Sequence, residues 1–160
     1  IDLRESNSWI KMTHQVNPKE CAEVFTINSI APFYLIGQLY DIMKNDNSND
    51  KLKQQYSWII NVSSMEGSFN RKNKTANHPH NNMAKASLNM ITRTNARQYF
   101  KNYIVMLSVD TGWNTIEEPC SYNIKSPLDC IDGMARILDP IFNNLTKPGL
   151  FYKNFKPTSW

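Results

Sequence analysis

With 160 residues, 41% of them hydrophobic, and a net charge of +4, the chain is long enough to bury the core of one domain and too apolar to be disordered. No apolar run is long enough to span a bilayer, and no stretch reads as a basic-then-apolar secretory leader. The lysines and arginines are scattered apart from Arg71, Lys72 and Lys74, so a solvated loop is expected there rather than a nucleic-acid surface.

Asn17-Pro18-Lys19-Glu20 opens a helix. Asn17 can cap it, Pro18 suits its first position, and Glu20 can reach back to the cap. Apolar residues from Val24 to Met43 fall on all sides, which predicts a buried helix. Pro32 has no N–H, so the Asn28 carbonyl loses its helical partner and needs another donor. Residues 45–55 have the composition of a solvated loop. Tyr56–Val62 is a mostly apolar strand of the kind covered on both faces, and it ends in Ser63 and Ser64.

Ser68–Asn82 is expected to be a polar loop, with a lid or substrate-facing segment as the sharper option. A helix follows over Met83–Phe100, where Ala84, Ala86 and Ser87 permit close packing. Tyr103–Val109 is a second strand, ending in Asp110-Thr111-Gly112-Trp113-Asn114-Thr115. Another helix begins at Pro127-Leu128-Asp129, and Gly149–Tyr152 reads as a short last strand.

Cys21, Cys120 and Cys130 form an odd count without paired spacing. That argues against a disulfide framework or zinc site, and reduced thiols in a cytoplasmic protein are the expectation. His78 and His80 flank a proline, but no cysteine or carboxylate stands at a ligand spacing from them, so no metal is expected. The glycines are dispersed and cannot form a glycine-rich phosphate loop. Of the sequon-like triplets at Asn61, Asn73 and Asn144, the first lies in an apolar strand where no glycan fits.

A strand that releases small polar residues before a helix is how open α/β sheets build ligand sites. The run Ile59-Ile60-Asn61-Val62-Ser63-Ser64 and the run Asn81-Asn82-Met83-Ala84-Lys85 resemble the catalytic half of the short-chain dehydrogenase/reductase family. Asn28-x-x-x-Pro32-Phe33 and Val109-Asp110-Thr111-Gly112-Trp113 extend the likeness. The resemblance implies an α/β fold, the C-terminal part of a Rossmann-like doubly wound parallel sheet. Residues 1–160 would be a partial NAD(P)-binding domain, with the N-terminal glycine-loop half absent from them.

By the same resemblance, Ser64 hydrogen-bonds the substrate oxygen, Lys85 holds the cofactor ribose, and Asn28 holds a water linked to the lysine. Ser63, Asp110, Thr111, Gly112 and Thr115 would join Lys85 around the cofactor, NAD or NADP. The helix bearing Lys85 would line a subunit interface in a homo-oligomer. The implied substrate is a small-molecule carbonyl or alcohol, with neither nucleic acid nor membrane as partner.

The family's tyrosine, four residues before the lysine, is Asn81 here. A phenol of pKa ~10 is brought toward neutrality by a neighbouring ammonium. A carboxamide can donate a hydrogen bond but releases no proton at neutral pH. Losing a general acid costs roughly 10²–10⁴-fold in rate. An oxidoreductase with another proton source is therefore one expectation. His80 is the adjacent candidate, although one residue along a helix turns it about 100° away. A catalytically impaired cofactor-binding or scaffold protein is the alternative.

Overall fold

The structure, a computed structural model, describes residues 3–44, 55–119, 122 and 124–160. The loop expected over 45–55 falls almost wholly outside the described residues, and Cys120 does too.

Four strands form one sheet in chain order. β1 (Ser57–Ser63) and β2 (Ile104–Asp110) run parallel along their whole length, Ser57 opposite Ile104 and Ser63 opposite Asp110. β2 is buried at every residue. It lies between β1 and the parallel β3 (Phe151–Lys153), with both faces covered, which is why its sequence is a continuous apolar run. β4 (Lys156–Thr158) returns antiparallel to β3 through Asn154 and Phe155, both at positive φ. That is the left-handed pair a two-residue hairpin turn requires. The sequence gives little sign of β4, because its turn lacks a glycine.

Helices α1 (Pro18–Phe25), α2 (Ala31–Met43) and α3 (Pro79–Phe100) gather on one side of the sheet. Ile36 of α2 and Ala96 of α3 meet Met106 there. Val105, Leu107 and Val109 point the opposite way and pack with Tyr152. That face also carries α4 (Cys130–Phe142). The helix starts follow local rules. Asn17 Oδ1 accepts the Lys19 N–H at 2.9 Å. Asp129 accepts from Ile131 and Asp132, and Asp132 reaches back to the Asp129 amide.

The stretch from Val24 to Met43 departs from one regular, buried helix. Just before Pro32 it is not regular α-helix. The chain widens into a π-helical turn over Thr26–Ile30, and the Ala31 N–H donates to the Thr26 carbonyl five residues back. An added residue in one turn is a common way for a helix to absorb such an interruption. Nor is the stretch buried all round. In α2 only Ile36 is buried, while Phe33 and Ile42 are 63% and 80% exposed. The helix lies along the β1 side of the sheet, and no described element covers its outer faces.

Beneath the sheet, Asn61 Nδ2 donates to Thr92 Oγ1 at 2.8 Å, and Thr92 shares a second 2.8 Å bond with Ser108 Oγ. All three side chains are buried. Thr92→Val keeps the shape but strands Asn61 and Ser108. A loss of about 1–3 kcal/mol is expected in the denaturant midpoint; an unchanged midpoint would show that the network adds nothing.

Candidate active site

Ser64 caps a single 3₁₀ turn over Met65–Gly67. Its Oγ accepts the Glu66 N–H at 3.2 Å, which leaves the hydroxyl proton free to be donated. The turn rests directly on α3. A Cβ built on Gly67 would lie 2.5 Å from the Lys85 carbonyl carbon and 2.7 Å from the Ala86 nitrogen. The Ser29 hydroxyl donates to the Ala84 carbonyl at 2.7 Å from the other side. The small residues expected to allow close packing on α3 thus do so at the lysine itself.

Lys85 Nζ donates to the Val62 carbonyl at 3.0 Å, at the end of β1. Burial lowers its pKa, and the Glu117 carboxylate raises it in smaller measure. Asn28 shares with Lys85 an open groove of about 580 Å³, walled by α2 and β1 residues such as Pro32, Leu35, Ile60 and Asn61. Its carboxamide nitrogen donates to the Val24 carbonyl at 3.0 Å. Neither Ser64 nor Asn81 lines this groove. Asn81 lies one turn before Lys85 on α3, where residues four apart are neighbours. Its side chain has no hydrogen-bond partner among the described residues.

The remaining positions divide. Ser63 is buried, and its hydroxyl has no partner among the described residues. Asp110 is also buried. Its two oxygens accept the Met65 and Gly112 N–H groups, each at 2.6 Å, so the carboxylate is a strut between the two loops that follow β1 and β2. Gly112 holds that turn at φ +77°, strained for any other residue. Thr111 is half-buried beside it, and Thr115 is exposed and donates to Glu117 at 2.6 Å. Asp110→Asn keeps one acceptor and turns an N–H₂ toward an amide donor. The expected cost is about 1.5–3 kcal/mol in thermal or denaturant unfolding; a variant of unchanged stability would remove Asp110 as a strut.

The segment expected as a loop up to Asn82 is helical from Pro79. His78 sits before it in the left-handed region at φ 41°, and Pro79 fills the first helical position. This places His80 on α3, buried and turned toward α1, where Glu20 is the carboxylate it feels. Burial lowers its pKa. The basic group Arg71, Lys72 and Lys74 also turns inward in part. Arg71 pairs with the Glu66 carboxylate, and Lys74 Nζ donates to the Glu66 carbonyl. The Glu66–His78 cluster escaped the sequence reading; the Pro79 start of α3 was its one signal.

No family model matches the chain. A protein of Acanthamoeba polyphaga mimivirus is 29% identical over 154 residues, which is 89% of this chain and 31% of that protein. Among solved structures, a short-chain dehydrogenase/reductase from Burkholderia multivorans with bound NADP superposes at TM-score 0.69 and 16% identity, over all of this chain and 64% of that one. The carbonyl reductase Sniffer of D. melanogaster gives 0.72 and 21%, over 94% of this chain and 61% of that one. An NADPH-bound carbonyl reductase from chicken fatty liver gives 0.72 and 23%, over 98% and 61%. The fold is that of the short-chain dehydrogenases/reductases. The chain spans about three fifths of the length of these structures and about a third of the viral relative.

Proposed function

We propose that the chain is the catalytic part of an NAD(P)-dependent oxidoreductase of the short-chain type, moving hydride between the nicotinamide and a small carbonyl or alcohol. The observation that carries this reading is the seat of Lys85. Its ammonium is fixed to the Val62 carbonyl at a strand end, beside Asn28, under a turn that presents the Ser64 hydroxyl. NADP or NADPH is bound in two of the structures that share the fold. When bound, the cofactor would supply the hydride. Lys85 would hold its ribose, Ser64 would donate to the substrate oxygen, and the Gly112 turn with Thr111 and Thr115 would border the nicotinamide. Asn28 would orient a water behind the lysine.

A second reading rests on Asn81. With a carboxamide at the acid's position and His80 turned away, the chain binds NAD(P) without ordinary turnover. We also place a homo-oligomer contact on the exposed apolar residues Phe33 and Tyr34 of α2 and Met90 of α3. The test is oxidation of NADPH and NADH by the full-length protein over a panel of aldehydes, ketones and quinones. Turnover abolished by Lys85→Met supports the enzyme; tight cofactor binding with no turnover on any substrate supports the second reading.

A further inference from the structure

The segment Asn7–Lys11 reaches two loops that are distant from it in sequence. Ser8–Ile10 is a single 3₁₀ turn capped by Asn7, whose Oδ1 accepts the Trp9 N–H at 3.1 Å. Asn7 is buried, and its Nδ2 donates to the Glu117 carbonyl, 110 positions away, at 2.7 Å. Trp9 engages His78, 69 positions away. The two rings stack with centroids 3.9 Å apart and 11° between planes. The Trp9 carbonyl lies 2.8 Å from His78 Nδ1, and since a carbonyl only accepts, the ring nitrogen donates. The His78 N–H donates to the Lys11 carbonyl at 3.0 Å, and the His78 carbonyl accepts the Asn81 and Asn82 N–H groups at 3.1 Å each.

Both loops stand at the end of the sheet where Ser64 and Lys85 lie. β1 and β2 are parallel, so the loops that leave Ser63 and Asp110 share that end, and Lys85 reaches the Val62 carbonyl there. α4 holds the first part of the loop after β2. The Leu128 N–H donates to the Trp113 carbonyl at 3.3 Å, and a Cβ on Gly133 would run into the Asn114 side chain. Farther on, at Glu117, the anchor is Asn7. The Glu117 carboxylate accepts from Thr115 Oγ1 at 2.6 Å and stands near enough to Lys85 to favour its charged form against burial. A loop gripped at one end only opens readily; a second anchor removes that freedom before substrate arrives and so lowers the cost of binding.

We propose that Asn7–Lys11 is a strap across the mouth of the candidate site, with Asn7 and Trp9 as positioning residues. Asn7 sets the loop after β2. Trp9 sets, through His78, the turn that leads to position 81, so the gap a carbonyl substrate enters is held at one width. The strap stands on its contacts alone; its effect on substrate rests on the oxidoreductase reading.

The test uses the full-length protein. Asn7→Asp keeps the oxygen that caps Ser8–Ile10 but sets a second oxygen against the Glu117 carbonyl. The His78, Asn81 and Asn82 N–H groups donate to Lys11 and His78. Their amide exchange, measured without substrate or cofactor, should nonetheless speed up roughly tenfold in Asn7→Asp. In NADPH-dependent reduction, KM for the carbonyl should rise roughly tenfold with kcat nearly unchanged, the mark of lost binding rather than lost chemistry. Trp9→Ala should act in the same direction on both, and Trp9→Phe, which keeps an aromatic face on His78, less. Asn17→Ala removes a cap of the same kind from α1 and is the control for stability alone. Exchange unmoved by Asn7→Asp, or moved equally by Asn17→Ala, would overturn the strap. Faster exchange with an unchanged KM, or a fall in kcat alone, would overturn its role in positioning. A parent that reduces no carbonyl removes the oxidoreductase reading and the substrate role with it, while the exchange rates still decide the strap.

Discussion

Asn81→Tyr is expected to raise carbonyl reduction by the full-length protein roughly 10²–10⁴-fold, the usual worth of a general acid. The side chain at position 81 stands one turn before Lys85, on a helix whose first turn is anchored through the His78 carbonyl. Its carboxamide is uncommitted among the described residues, so the replacement breaks no hydrogen bond they make. A phenol there would lie within reach of the Lys85 ammonium. That cation stabilises phenolate and lowers the tyrosine pKa from ~10 toward working pH. Burial lowers the Lys85 pKa too, yet the group keeps a donor bond to Val62 and the opposing pull of Glu117. The new variant should therefore acquire an ionisation in its kcat/KM profile that the parent lacks. The measurement is NADPH oxidation against pH for parent, Asn81→Tyr and the double variant with Lys85→Met. A gain that survives loss of the lysine would sink the pairing argument. A parent already fast, and slowed by Asn81→Tyr, would show that the carboxamide itself serves another reaction.

Gly67→Ala should be strongly damaging. The added carbon would meet the backbone of Lys85 and Ala86 at 2.5–2.7 Å, and no side chain there can rotate out of the way. Overpacking typically costs 1–3 kcal/mol, which for a domain of this size is a fall in Tm of about 5 °C. Relief requires the Ser64 turn to lift from α3, so activity should fall further than stability. Gly37→Ala gives the control of opposite sign. It lies exposed within α2 with nothing near its would-be Cβ, and alanine there should add about 0.5–1 kcal/mol. Equal Tm values for the two variants would refute the close approach.

Much of this architecture was legible because it is local. Asn17-Pro18 and Asp129 name their helix starts, and the run from Ile104 to Asp110 could only be a strand buried on both faces. The order Ser64, Asn81, Lys85 is what suggests a site there, and the structure seats Ser64 and Lys85 at one strand end. What stayed hidden depends on partners distant in sequence. Asp110 shows nothing on paper of the Met65 and Gly112 amides that its two oxygens hold. Ser63 and Ser64 are equivalent on paper, and only strand alternation turns one inward. His78 gives no sign of its contacts because its partners, Trp9 and Glu66, come from separate segments. The exposure of α2 was misread for a simpler reason. An apolar face records that something covers it, not which part of a chain does so.

That exposed face adjoins β1, which stands at the end of the described sheet with the sequence Trp58-Ile59-Ile60-Asn61-Val62. An apolar parallel strand with open hydrogen-bonding groups is a template for any extended peptide. Prepared as these 160 residues alone, the protein should therefore self-associate with rising concentration. Ile42→Lys, at the most exposed apolar position of α2, should improve its solubility.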